Sequence, residues 1–291
     1  MTRPTHIEQP GPVAAERIVA IAARGRTLTL RLPSGRKLVD AVSACFAEQG
    51  FASGTVDISG LALGPFAYVM PALSKTGEQA AFYSDTFRPT GITRVKHGAM
   101  TFGRRNGAPF FHTHALWTEA DGTFSGGHIL PDETMVAEPL TVPAFGLEDA
   151  VFEGRLDPET NFKLFGPVAA RSTAGGDIPD GIYAIRLRPN QDFAGGIEDF
   201  CRAHGVKRAR IHGGVGSTIG AAFDDGRIVE NFATEVYIRH GVIEPGNDSG
   251  PEAQLDVGLV DYTGAMAEGR LTRGQNPVLM TFELIIEAIG R

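Results

Sequence analysis

The chain repeats itself, and an internal repeat constrains its architecture more than any other feature of the sequence. Residues 27–32 (T-L-T-L-R-L) resemble residues 182–187 (I-Y-A-I-R-L), each reading as a strand that ends at an arginine, Arg31 and Arg186. A turn and a helical pattern follow in both places. Leu38, Val42, Cys45 and Phe46 fall at helical spacing in the first, and Phe193, Ile197, Phe200 and Cys201 in the second. Both helices stop at a glycine, Gly50 and Gly205, where a left-handed cap is expected. Further on, residues 94–99 (R-V-K-H-G-A) resemble residues 237–242 (Y-I-R-H-G-V), which aligns His97 with His240. The remainder of each copy reads as strands joined by tight turns, with Asn106-Gly107, Asp121-Gly122 and Asp225-Gly226 as hairpin signals. The expectation is an α+β chain of two tandem copies, each a mostly antiparallel sheet with one packed helix. An arm over residues 1–17 precedes the first copy at 18–165. A Gly-, Pro- and Ala-rich linker at 166–179 leads to the second copy at 180–291.

Three of the eight histidines crowd into residues 110–129, F-F-H-T-H-A-L-W-T-E-A-D-G-T-F-S-G-G-H-I. His112 and His114 are two apart, so on a strand their rings share a face. The chain turns at Asp121-Gly122 and returns His128 beside them. Three converging imidazoles suit zinc with an open position for water or substrate, and also suit nickel, copper or iron. A clean two-residue turn would set Ala115, not His114, opposite His128. A metal site therefore requires an irregularity at Gly126-Gly127 or in the turn. Aligning A-L-W-T-E-A-D-G with G-L-V-D-Y-T-G places the three ligand positions on Leu255, Val257 and Arg270, so the second copy has lost the motif.

Composition narrows the function classes. The formal net charge is −7, which disfavours a non-specific nucleic-acid binder. No apolar run has the length of a membrane span, since Pro65 and Pro71 break the most apolar stretch. The first residues lack the order of a secretory signal, and a cytoplasmic location is expected. Two cysteines make no disulfide framework, and both read as buried helix residues.

The L-R-L strand, the glycine-ended helix, the strand before His97-Gly98, and H-x-H-A followed by G-G-H together resemble the PPC (plant and prokaryote conserved) domain family. The resemblance implies that His112, His114 and His128 are ligands to zinc or a similar ion, and that the chain self-associates in a trimer-like manner. Plant members of the family carry AT-hooks. Arg24-Gly25-Arg26-Thr27 lacks the proline that follows such a core and runs into a strand, so nucleic acid is not the expected partner.

The leading functional expectation is a metal-dependent enzyme, hydrolase or lyase, or a binder of a small polar or anionic molecule. The alternatives are a DNA-binding module and an oligomeric scaffold stapled by a structural metal. No catalytic residue is singled out by spacing, though Asp132 and Glu133 after the His128 strand are the better general-base candidates. Arg31, Lys96 and His97 are weak candidates for holding an anionic substrate. Arg104 and Arg105 read as an exposed pair before a turn. Gly213-Gly214-Val215-Gly216-Ser217 resembles a phosphate loop only faintly, lacking the lysine and the spacing of one.

Overall fold

The computed structural model describes residues 3–171, 178–247 and 249–290. The first half runs β1 (Ile18–Leu32), α1 (Leu38–Glu48), β2 (Gly54–Asp57), β3 (Ala62–Leu63), β4 (Tyr68–Val69), β5 (Pro71–Leu73), β6 (Ala81–Tyr83), β7 (Thr93–Arg105), β8 (Ala108–Thr118), β9 (Phe124–Ile129) and β10 (Leu140–Glu148). A hairpin of β11 (Ala150–Asp157) and β12 (Phe162–Ala169) closes it. The second half runs β13 (Ile182–Leu187), α2 (Phe193–Ala203), β14 (Ala209–Ala222), β15 (Ile228–Pro245), β16 (Pro251–Asp261), β17 (Met266–Arg270) and β18 (Val278–Ala288).

The sheet reads as a palindrome. Its order is β17-β16-β15-β14-β18-β13, then β1-β10-β2-β7-β8-β9, so each half presents the same succession outward from a shared seam. At the seam Ile18–Ala23 of β1 pairs antiparallel with β13, and the remainder of β1 pairs with β10. The two halves also meet face to face, where Ala99, Leu116, Val215 and Tyr237 form an apolar plug. Each half keeps its own core beneath its helix. Leu38, Val42, Cys45 and Phe46 of α1 are buried, as are Phe193, Ile197, Phe200 and Cys201 of α2. Gly50 and Gly205 end the helices at φ 82 and 67, the left-handed region expected for such caps. The fold is thus mostly antiparallel β with one helix per half.

Strand pairing refines the repeat. Ala99 pairs with His114, and His114 with His128; in the second half His240 pairs with Asp256, and Asp256 with Arg270. Arg31 pairs with Thr141 and Arg186 with Glu283, which keeps the two strand-end arginines equivalent. The counterpart of His240 is therefore Ala99 and not His97. The ligand positions fall on Gln254, Asp256 and Arg270, in place of the Leu255 and Val257 expected from sequence. The cause is local: β7 and β15 each carry a bulge, between Val95 and His97 and between Ile238 and His240, at non-equivalent positions. Similar letters then align although the ladders do not.

Two further expectations change. The linker begins later than 166, because residues 166–169 complete β12; residues 172–177 of it lie outside the described residues. The arm is tied down. Asn190 Nδ2 donates to the Ile7 carbonyl, Gln9 Nε2 to that of Leu279, and Arg17 pairs with Glu159 at 2.8 Å. Gly213 and Gly214 form a bulge in β14 and not an anion loop. A side chain at Gly213 would meet Thr55 Cβ at 2.6 Å, so the glycine lets β14 approach the first half.

Candidate metal centre

Strand β8 places His112 and His114 on one face, and β9 returns His128 directly opposite His114. The required irregularity lies in the turn. Thr118 pairs with Phe124, and Glu119 N donates to Thr123 O across residues 120–122, with Gly122 at φ 91. Gly127 is needed for another reason: it sits at φ 154, and a Cβ there would lie 2.4 Å from the Val69 carbonyl oxygen of β4.

The three rings face one another. His112 Nε2 lies 3.1 Å from His114 Nε2, and His128 Nδ1 lies 3.3 Å from the same atom. Nitrogens bound tetrahedrally to zinc at 2.0–2.1 Å stand about 3.3 Å apart, a spacing close to these two separations. The outward nitrogens of His112 and His114 are anchored by the second half. His114 Nδ1 donates to the Val236 carbonyl of β15 at 3.0 Å, and His112 Nδ1 bonds Glu283 of β18. Such partners fix the tautomer and turn the other nitrogen toward a metal. His114 and His128 are buried, and burial, followed by the charge of neighbouring His112, holds both imidazoles well below the ordinary histidine value. They are neutral, as ligands must be.

Two buried carboxyl groups complete the surroundings. Glu283 is fully buried, with its second oxygen unpartnered. Glu235 of β15 is 5% exposed, neither of its oxygens meets a hydrogen-bond donor among the described residues, and burial raises its carboxyl well above the usual range. Such groups are costly in a folded protein unless a cation or water answers them. A divalent ion among the imidazoles would supply that charge.

Glu235, His112 and His114 line a small, mainly apolar chamber with Phe82, Phe162 and Met280. His112 and His128 also line a vestibule of about 450 Å³ that contains Tyr83, Arg105, Asp132, Glu133 and Lys163. Part of the chamber wall, including Phe82 and Phe162, comes from segments that have no counterpart in the second half, and the rest comes from β8, β14, β15 and β18. The stretch carrying β5 and β6 intervenes between β2 and β7, and the β11–β12 hairpin follows β10, whereas β14 turns into β15 across residues 223–227.

The other sequence candidates fall elsewhere. Arg31 is an exposed residue of β1 and lines neither cavity of the histidines. Lys96 pairs with Glu268 at 2.8 Å. His97 lines a separate polar cleft of about 420 Å³ with Asp57, Arg239 and His240. Neither reaches the triad. Of the two general-base candidates, Glu133 is engaged by both arms of Arg88 at 2.6 and 2.8 Å. Arg105 turns into the vestibule, while Arg104 pairs with Glu153. Glu235 and Glu283 were missed because no spacing links them to the histidines; they arrive only through packing of the two halves.

Residues 178–290 match the Plants and Prokaryotes Conserved (PCC) domain, the family whose motifs the sequence resembles. The second half of the chain carries a PCC domain. The mirrored strand order makes the first half a second copy of the same fold. Solved structures similar to parts of this chain include a metal-containing protein of Archaeoglobus fulgidus (19% identity, 50% of this chain and 97% of that chain, TM-score 0.40). Others are a plant- and prokaryote-conserved protein of Pyrococcus horikoshii (16%, 55% and 100%, TM-score 0.40) and a putative DNA-binding protein of Ralstonia eutropha (15%, 48% and 89%, TM-score 0.33). No curated protein matches.

Proposed function

We propose that this protein holds one divalent transition metal, zinc by preference, on His112, His114 and His128, and uses it to act on a small molecule as a hydrolase or lyase. The observation that carries the reading is the convergence of three imidazoles, with His112 and His114 anchored at their outer nitrogens, beside the buried carboxyl groups of Glu283 and Glu235. When bound, the metal supplies a Lewis acid able to polarise a carbonyl or acidify a water. The chain's own residues do the rest. Val236 and Glu283 orient the ligands, and Phe82, Phe162 and Met280 restrict water. Glu235 offers a carboxyl group that can hold or release a proton inside the chamber.

Three protein ligands are the pattern of a reactive site and not of a closed structural one. Cobalt(II) substitution separates the two. A strong visible absorption band that shifts when azide is added is expected of a low-coordinate ion with an exchangeable position. A spectrum indifferent to azide would point to a closed structural ion, and a weak octahedral spectrum would reject the three-histidine site.

A further inference from the structure

The vestibule has an electrostatic feature that metal binding does not require. Arg105 is half-buried with its guanidinium over the Phe110 ring, 5.0 Å from the centroid. It is close enough for its charge to act on the His128 imidazole. Neighbouring Arg104 is paired with Glu153, yet among the described residues no carboxylate pairs with Arg105 or with Lys163 on the same wall. Glu133 is neutralised by Arg88, which leaves Asp132 as the opposing charge and the vestibule with an excess of one positive charge. A half-buried guanidinium without an anionic partner is able to receive an anion. Phe82, Phe110, Phe162 and Leu164 give the vestibule apolar wall, with the Tyr83 ring 5.2 Å from that of His128.

We propose that the vestibule binds a small organic monoanion with an apolar body, its carboxylate met by Arg105 and Lys163 and its far end directed at the three histidines. The charge excess matches one carboxylate, and the aromatic walls match a planar or branched hydrocarbon body. The proposal deepens the reading of the metal centre and rests on it only for what occurs at the far end. Lys163 is the outer, exposed partner and contributes less than half-buried Arg105.

The test is calorimetric titration of the full chain with phenylacetate and with its neutral analogue phenylacetamide, on zinc-loaded and metal-stripped samples of measured metal content. Phenylacetate is expected to bind wild type and to weaken about tenfold or more in Arg105→Gln, and by a smaller factor in Lys163→Gln. Phenylacetamide is expected to bind more weakly and to be indifferent to either change. Arg105→Lys, which keeps the charge, should recover part of the loss, and an unchanged melting temperature would show that the variants fold. Equal phenylacetate affinity in wild type and Arg105→Gln would overturn the proposal, as would no binding to wild type. Arg105-dependent binding in a protein that takes up no zinc would instead overturn the metal reading and leave the vestibule standing.

Discussion

The same three ladder positions hold different chemistry in the two halves. In the first, His112, His114 and His128 converge in a buried chamber. In the second, Gln254, Asp256 and Arg270 stand in their place. Arg270 donates to Asp256 at 3.0 and 2.9 Å and to Gln254 at 3.0 Å, so the vacated site is closed by an ion pair on the surface. The second half also supplies carboxyl groups to the histidines of the first. The second lends Glu283 and Glu235 to the histidines, while their ladder counterparts in the first are Thr141 and Arg94, the latter paired with Glu138. Duplication has therefore separated two roles. One copy carries the three histidines and covering segments, and the other is the wall that orients them.

Moving the motif should break this comparison most severely. In Gln254→His/Asp256→His/Arg270→His, the second half gains three imidazoles, but at partly exposed positions without the buried Glu283 that bonds His112. We expect zinc affinity there to fall short of the natural site by at least about 100-fold, the loss associated with missing outer partners. Two metals of equal affinity per chain would show that the second half contributes nothing to the natural site. The loan itself is tested by Glu283→Gln, which should weaken zinc binding by about 10- to 100-fold, read by competition with a chromophoric chelator. Thr141→Ala at the counterpart position should leave it unchanged.

Glu235 gives a smaller effect with a definite sign. Burial raises its carboxyl above the unfolded value near 4.5, so the folded metal-free protein keeps a proton that the unfolded chain releases. That stabilisation is complete below the unfolded value and is lost as pH rises toward the folded one. Metal-free Glu235→Gln should melt higher than metal-free wild type at about pH 8, with the gap closing toward about pH 5. A gap independent of pH would mean that Glu235 does not titrate with folding. The smallest effect belongs to the replacement pair. Asp256 and Arg270 are partly solvated, so Arg270→Ala should cost about 0.2–1 kcal/mol in denaturant unfolding and leave zinc content unchanged.

Sequence made the ligand set readable because the geometry is local: two strand residues of one parity, a turn, and a third histidine. The repeat was readable through its helices, whose apolar spacing and glycine stops recur. Two things were not. Bulges at non-equivalent positions of β7 and β15 shift the strand register, so the likeness of His97-Gly98 to His240-Gly241 misled by two residues. Glu235 and Glu283 reach the centre across the packed faces of the halves, a contact that no periodicity within either strand encodes. Arg105 was hidden for a related reason. A pair of arginines before Asn106-Gly107 looks like an exposed loop, but the β11–β12 hairpin beside β7 engages Arg104 and leaves Arg105 facing the vestibule.

The central claim is that the first half alone carries the metal, and elemental mass spectrometry of protein purified without a histidine tag tests it most directly. Wild type and Gln254→Ala/Asp256→Ala should each carry about one transition-metal ion per chain, and His112→Ala/His114→Ala should carry none. Wild type that remains metal-free after incubation with zinc, or a double-histidine variant that retains its ion, would contradict the account.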